Sequence, residues 1–257
     1  MRIDVHGHIG TCESHSSDLQ HVTAYLDTCA VQRLLVSNLD AAGGAAAHCT
    51  DETAANLATL EACRQDRRLL PVYWVRLGQE DSKIQAFAGA FEVEPFVAAF
   101  FSPPRDEYAA DDARLDPHLS VLAKLRRAAF IEVGPKPPHD VEHVYTLARR
   151  HPGLPIVLCG AGGQPHWDEV VETVARSRDK QEVRLYLATD SAAAADIAAA
   201  FERLGRGRLM FGSDAARLGA EHGPRFRELL SRLPKLLGDE GFADLAGNAA
   251  QRVFPLV

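Results

Sequence analysis

Two histidines one residue apart stand near the start of the chain, in Asp4-Val5-His6-Gly7-His8. Side chains alternate along a strand, so His6 and His8 share one face, about 7 Å apart, where two imidazoles can converge on one cation. The plainer reading is two solvated rings at a strand end. Glu132 lies in Phe130-Ile131-Glu132-Val133-Gly134, an apolar run in which a buried carboxylate needs a partner. That partner is either a metal ion or a cationic side chain, Lys136 or an arginine from a neighbouring strand. Asp214 ends Phe211-Gly212-Ser213-Asp214 and reads as a ligand or as the N-cap of the next helix. Arg76, after Trp74-Val75, offers a guanidinium that clamps a substrate carboxylate or pairs with Glu132 or Asp40.

These residues matter only if something brings them together. Short β-rich runs recur along the chain at 2–7, 32–37, 71–76, 96–101, 129–133, 155–159, 183–189 and 208–213, with helical stretches between them. Their starts lie roughly 25–40 residues apart, the span of one βα unit. Val141, Val144, Leu147 and Ala148 fall at helical spacing behind Asp140 and Glu142, and Val170, Val171 and Val174 repeat the pattern. Phe226, Leu229, Leu230 and Leu233 do so again, and a closing helix is expected around 242–254. Pro155–Cys159 and Leu209–Phe211 are almost wholly apolar, as strands covered on both faces are. Eight such units predict an α/β fold, a single (β/α)8 TIM barrel over 1–257, with no internal domain boundary. A doubly wound open sheet is the rival, but a Gly-rich phosphate loop is missing after the first strand. In a barrel, the C-terminal strand ends carry function, and the candidate residues sit at such ends. The loops 11–19 and 103–114 are expected to form much of the pocket lid. Ala41–Ala47 reads as a loop, and Ala192–Ala200 as a helix.

Composition narrows the setting. The chain has 257 residues, 46% of them hydrophobic, and a net charge of -7, which suits one large core and argues against a nucleic-acid partner. Its basic pairs, Arg67-Arg68, Arg126-Arg127 and Arg149-Arg150, are isolated on expected helix surfaces. No apolar run reaches about 18 residues, so no membrane span is expected, and the first residues do not read as a secretory signal. The five cysteines are scattered without a CxxC pair, which suits reduced thiols and a cytoplasmic setting.

Taken together, the motifs resemble the amidohydrolase superfamily. Asp4-Val5-His6-Gly7-His8-Ile9-Gly10 is similar to its opening D-x-H-x-H. More narrowly, the chain resembles the amidohydrolase-related group that includes the aminocarboxymuconate-semialdehyde decarboxylases. Arg208–Asp214, Gly247–Phe254 and His151–Leu158 each resemble that group's motifs near strand 8, the C-terminus and strand 6.

The departures define what is left of the site. The group usually has a metal-binding histidine where Glu132 stands, and a glutamate is an acceptable oxygen ligand. Its strand-6 histidine falls on Gly160. No lysine lies in 96–104, which excludes a lysine-bridged two-metal site. The resemblance then implies one divalent metal, zinc first and manganese second, on His6, His8, Glu132 and Asp214. Asp214 would also orient a water, Arg76 would bind substrate, and proton transfer would fall to His166 or His222. His166 has a plainer role as a rim residue packing on Trp167.

Three functions fit these residues. The first is a metal-dependent hydrolase of a small amide, lactone or ester. The second is a metal-dependent non-oxidative decarboxylase of an aromatic or unsaturated acid. The third is a degenerate, metal-free barrel with a binding or non-hydrolytic role. A small-molecule substrate is the expected partner, and a homodimer is an expectation carried by the resemblance alone.

Overall fold

All eight runs read as strands form strands, and they close into an α/β TIM barrel. The computed structural model describes residues 1–12, 15–42, 51–77, 81–215 and 217–255. Strand β1 (Ile3–Cys12) is longer than expected, and after it comes a short antiparallel strand, β2 (His15–Ser17). The remaining barrel strands are β3 (Arg33–Asn38), β4 (Leu69–Trp74), β5 (Ala98–Phe101), β6 (Ala128–Glu132), β7 (Pro155–Cys159), β8 (Arg184–Ala188) and β9 (Leu209–Met210). Each pairs in parallel with the next in chain order from β3 to β9, and β3 pairs with β1. Val5 donates to the Phe211 carbonyl at 2.9 Å, and Gly7 bridges to Ala215 in parallel, so the first strand meets the end of the last.

The unbroken apolar character of the strands has a direct cause. Val157, Cys159, Phe130, Phe100, Trp74 and Val5 point into the barrel, while Ile156, Leu158, Ile131, Phe101, Tyr73 and Leu34 pack outward against helices. Both faces are buried, so both are apolar along most of their length. Inside, Phe130 stacks on Phe254 at 5.5 Å on one side and on the His6 ring at 6.5 Å on the other. The site therefore rests on a packed aromatic floor, in which truncating one ring would cost about 3–5 kcal/mol.

The outer helices are α1 (Leu19–Cys29), α2 (Glu52–Gln65), α3 (Asp81–Val93), α4 (Leu115–Leu125), α5 (Val141–Arg150), α6 (Trp167–Lys180), α7 (Ala194–Leu204) and α8 (His222–Ala243). Helix α5 shows why they form where they do. Asp140 caps it by accepting from the His143 amide, Glu142 sits in the first turn, Arg149 and Arg150 in the last, and Val141, Val144, Leu147 and Ala148 are buried.

Three local expectations change. The polar loop expected over 11–19 contains the β1–β2 hairpin. The alanine-rich helix begins at Ala194, two residues later than read. The closing helix expected over 242–254 is present to Gln251, but it widens midway: the end of α8 runs through a π-helical turn at Asp244–Asn248 into a last α-helical turn at Ala249–Gln251. Of the loop at Ala41–Ala47, residues 43–47 lie outside the described residues.

Candidate metal centre

His6 and His8 converge more than an even strand would allow. Their ring centroids are 4.7 Å apart, edge to face, at the point where the register of β1 against β3 shifts between Asp4 and Gly7. Each ring is held from behind. His6 Nδ1 lies 2.7 Å from Asp190 Oδ1, and His8 Nδ1 lies 2.8 Å from the Ser37 hydroxyl. A carboxylate only accepts, so His6 carries its proton on Nδ1 and donates it in a hydrogen bond to Asp190. Ser37 plays the matching part for His8. Each Nδ1 is thereby occupied, which leaves Nε2 of each ring for another partner.

Asp214 meets them. Its Oδ1 is 3.6 Å from His8 Nε2, and its Oδ2 is 3.3 Å from Arg217 Nη1. The residue takes a left-handed conformation, φ 55°, where the chain leaves β9 and bridges back to β1. Burial pushes the Asp214 carboxyl up to about 6, and the charges of Asp190 and Glu132 add to the rise. His8 is driven well below its ordinary value by burial, then by His6, Arg105 and Arg217. His6 moves the other way: burial pulls it down, but Cys159 and Asp190 outweigh that and raise it.

A divalent ion fits this donor set. Among the described residues, ligand atoms of His6, His8 and Asp214 lie within 4.8 Å of one another. His6 Nε2 is buried without a hydrogen-bond partner, which is costly unless something binds it. The nearby carboxylates that raise Asp214 repel one another, and a cation between the three ligands would relieve that repulsion.

The fourth expected ligand stands apart. Glu132 is not in the three-residue cluster; its carboxylate accepts from the Ser102 hydroxyl and from Arg105 Nε, at 3.0 Å to Oε2 and 3.3 Å to Oε1. The cationic partner weighed for Glu132 therefore exists, and it is Arg105 rather than Lys136 or Arg76. The Arg76 guanidinium bonds the Ala42 carbonyl at 2.8 Å, and its backbone amide donates to Glu52. It does not border the cavity next to the His6–His8–Asp214 cluster. His166 precedes α6, and both its ring nitrogens are buried with no hydrogen bond, next to the buried Trp167. It is not part of the cluster either.

A narrow cavity opens beside the cluster. It measures about 20 Å3, room for about one water molecule, and is bordered by His8, Asp214, Arg105, Arg217, Ser16 and Ser17. Ser16 and Ser17 come from the 11–19 segment and Arg105 from the 103–114 segment, the two stretches expected to form the lid.

A second layer joins the ligand-bearing ends. Asp4 is fully buried and accepts from the amides of His6 and Ser213, each at 3.0 Å, and from the hydroxyls of Tyr25 and Ser213, each at 2.5 Å. The aspartate that opens the motif thus fixes both His6 and the residue before Asp214. Burial pushes this carboxyl up to about 6. His222 supports the same hydroxyl, with Nε2 2.9 Å from Ser213 Oγ.

Sequence reading passed over Arg105, Asp190, Tyr25 and Arg217. Asp190 left one usable signal, an acidic residue just past a barrel strand. Arg105 left none, since no spacing connects it to Glu132.

Eight parallel βα units, with two imidazoles on the first strand and a carboxylate after the last, define a barrel enzyme with a metal-competent mouth. The chain belongs to the amidohydrolase family, whose model matches residues 3–256. No curated protein matches the sequence. Solved structures with the same fold include a 2,6-dihydroxybenzoate decarboxylase complexed with 2,6-dihydroxybenzoate, at 13% identity and TM-score 0.72, covering 98% of each chain. A 4-oxalomesaconate hydratase from Rhodopseudomonas palustris matches at 13% identity and TM-score 0.71, covering 99% of this chain and 96% of that one. A 5-carboxyvanillate decarboxylase from Novosphingobium aromaticivorans, complexed with manganese and 4-hydroxy-3-methoxy-5-nitrobenzoic acid, matches at 14% identity and TM-score 0.70, covering 98% and 95%. No described helix is long and apolar enough to cross a membrane.

Proposed function

We propose that the protein is a metal-dependent hydrolase of a small amide, lactone or ester that also bears a carboxylate. One divalent ion, zinc or manganese, would be held by His6, His8 and Asp214. The observation that carries this reading is the convergence of those three side chains, with His6 Nε2 buried and unpartnered. Bound there, a divalent ion supplies Lewis acidity, lowering the pKa of a water and polarising a carbonyl. The chain's own residues do the rest. The cavity beside His8 and Asp214 has room for about one water. Asp214 takes the proton of the attacking water through a carboxylate oxygen and returns it to the leaving group. Arg105 and Arg217, which border the cavity, bind the substrate's carboxylate. The aromatic floor of Phe100 and Phe130 keeps bulk water from the inner side.

Decarboxylation of an aromatic or unsaturated acid is the second reading. It is favoured by the two guanidiniums at the cavity and by the barrel's likeness to the two decarboxylases. It needs a donor to protonate carbon, and Gly160 stands where the resemblance places a histidine.

The test begins with metal content after purification without chelator. About one equivalent, restored by zinc or manganese after stripping, is expected. Less than about a tenth of an equivalent, unchanged by added metal, contradicts both readings and favours a metal-free barrel. The loaded protein is then assayed for hydrolysis of carboxylate-bearing amides, lactones and esters, and for release of carbon dioxide from aromatic acids. Carbon dioxide release without hydrolysis selects the second reading.

A further inference from the structure

We infer that Asp190, locked in place by the glycine loop after β7, is the positioning residue that aims His6 at the metal-competent cluster; this rests on the proposed metal-dependent function. Asp190 is almost wholly buried, 3% exposed, and adopts φ 44°, a left-handed conformation uncommon outside glycine. Both of its carboxylate oxygens are used. Oδ1 accepts a hydrogen bond from His6 Nδ1–H at 2.7 Å, and Oδ2 accepts from the Gly160 amide at 2.6 Å. A ligating histidine held through its other nitrogen by a carboxylate has its ring plane and basicity set by that partner.

The loop explains why Asp190 cannot drift. Gly160 has φ +84°, and a Cβ there would come within 2.9 Å of Glu132 Cγ. At Gly162 a Cβ would fall 2.1 Å from the Thr189 carbonyl and 2.9 Å from Asp190 Cβ. The loop therefore lies flush on residues 189–191 only because it lacks side chains there. From the other side, the Thr189 amide donates to the Met210 carbonyl at 3.0 Å, and Thr189 Oγ1 bonds both the carbonyl and the amide of Gly212. Asp190 is thus clamped between the ends of β7 and β9. The position that the family resemblance reserves for a histidine supplies instead an amide that fixes the support of His6.

The test compares the parent with Asp190→Ala and Asp190→Asn. Manganese and zinc affinities are measured by calorimetry on stripped protein, the visible spectrum is recorded with cobalt bound, and melting of the metal-free form is followed in parallel. Asp190→Ala is expected to bind metal about 10–100-fold more weakly, with an altered cobalt spectrum. Asp190→Asn, which keeps an oxygen for Nδ1–H but loses the charge, is expected to fall between. Affinity within about two-fold of the parent with an unchanged cobalt spectrum, in folded Asp190→Ala, overturns the inference. If Asp190→Ala does not fold, the same result in Asp190→Asn overturns it. A parent that binds no metal overturns the underlying reading, and this inference with it.

Discussion

Arg105 Nε lies 3.0 Å from Glu132 Oε2, at the barrel mouth between the loop after β5 and the end of β6. The carboxylate for which the apolar run required either a metal ion or a cationic partner holds a guanidinium against the cavity. Ser102 completes the arrangement by donating to the same oxygen.

This separates the two residues' roles from that of the metal ligands. Glu132→Gln is expected to keep the parent's metal stoichiometry, measured by elemental analysis. Arg105→Ala is expected to keep it as well, and to raise the inhibition constant of a simple carboxylate such as benzoate about ten-fold, the loss of one charge-assisted contact. A fall in bound metal in Glu132→Gln would return Glu132 to the ligand set.

Restoring a histidine or even an alanine at position 160 should be harmful. The backbone there is left-handed, and the added Cβ would press on Glu132 Cγ at 2.9 Å. Gly160→Ala is expected to lose about 1–3 kcal/mol in urea unfolding, from conformational strain plus overpacking. A stability equal to the parent's would mean that the loop yields easily and that Gly160 is not structurally required.

Asp4 is expected to be among the most sensitive buried polar positions. Asp4→Ala leaves the His6 and Ser213 amides and the Tyr25 and Ser213 hydroxyls without their acceptor. Unfolding should show a loss of about 2–4 kcal/mol. Tyr25→Phe, which removes one donor and leaves the carboxylate three, should cost about 1 kcal/mol. Equal losses in the two variants would contradict the four-donor arrangement.

His222 gives the protein an acid sensitivity of known sign. Burial, with Arg225 adding to it, pushes this imidazole from an ordinary value near 6.5 down to about 3. Between those values the unfolded chain binds a proton that the folded chain refuses, so stability is lost as pH falls through 6.5. From pH 7 to pH 5 the residue should account for about 2 kcal/mol of lost stability. Asp4 acts in the opposite sense, since its raised carboxyl holds a proton in the folded state that the unfolded chain gives up sooner. The decisive quantity is therefore the difference between parent and His222→Gln in urea unfolding at the two pH values. The variant should lose less stability on acidification, and parallel losses would contradict the assignment.

Repetition made the barrel legible in the sequence, because eight apolar runs recur at βα spacing. His6, His8 and Asp214 were legible because they end the first and last runs, which closure brings together. For Glu132 the choice between a metal ion and a cationic partner stayed open, because an apolar strand demands a partner for a carboxylate without saying which. Arg105, 27 positions from Glu132, left no signal because it lies in a loop with no barrel position to mark it, whereas Asp190, 184 positions from His6, left only that of an acidic residue just past a barrel strand. The hairpin over 11–19 was hidden because its residues are polar and lack the apolar alternation that marks a strand.

The most direct test of the central claim is a crystal of the stripped protein soaked in manganese, with anomalous differences collected near the manganese edge. A single strong peak about 2.0–2.3 Å from His6 Nε2, His8 Nε2 and an Asp214 oxygen is the predicted result. No peak at that point, or a peak bound through Glu132 with His6 turned away from it, would contradict the account.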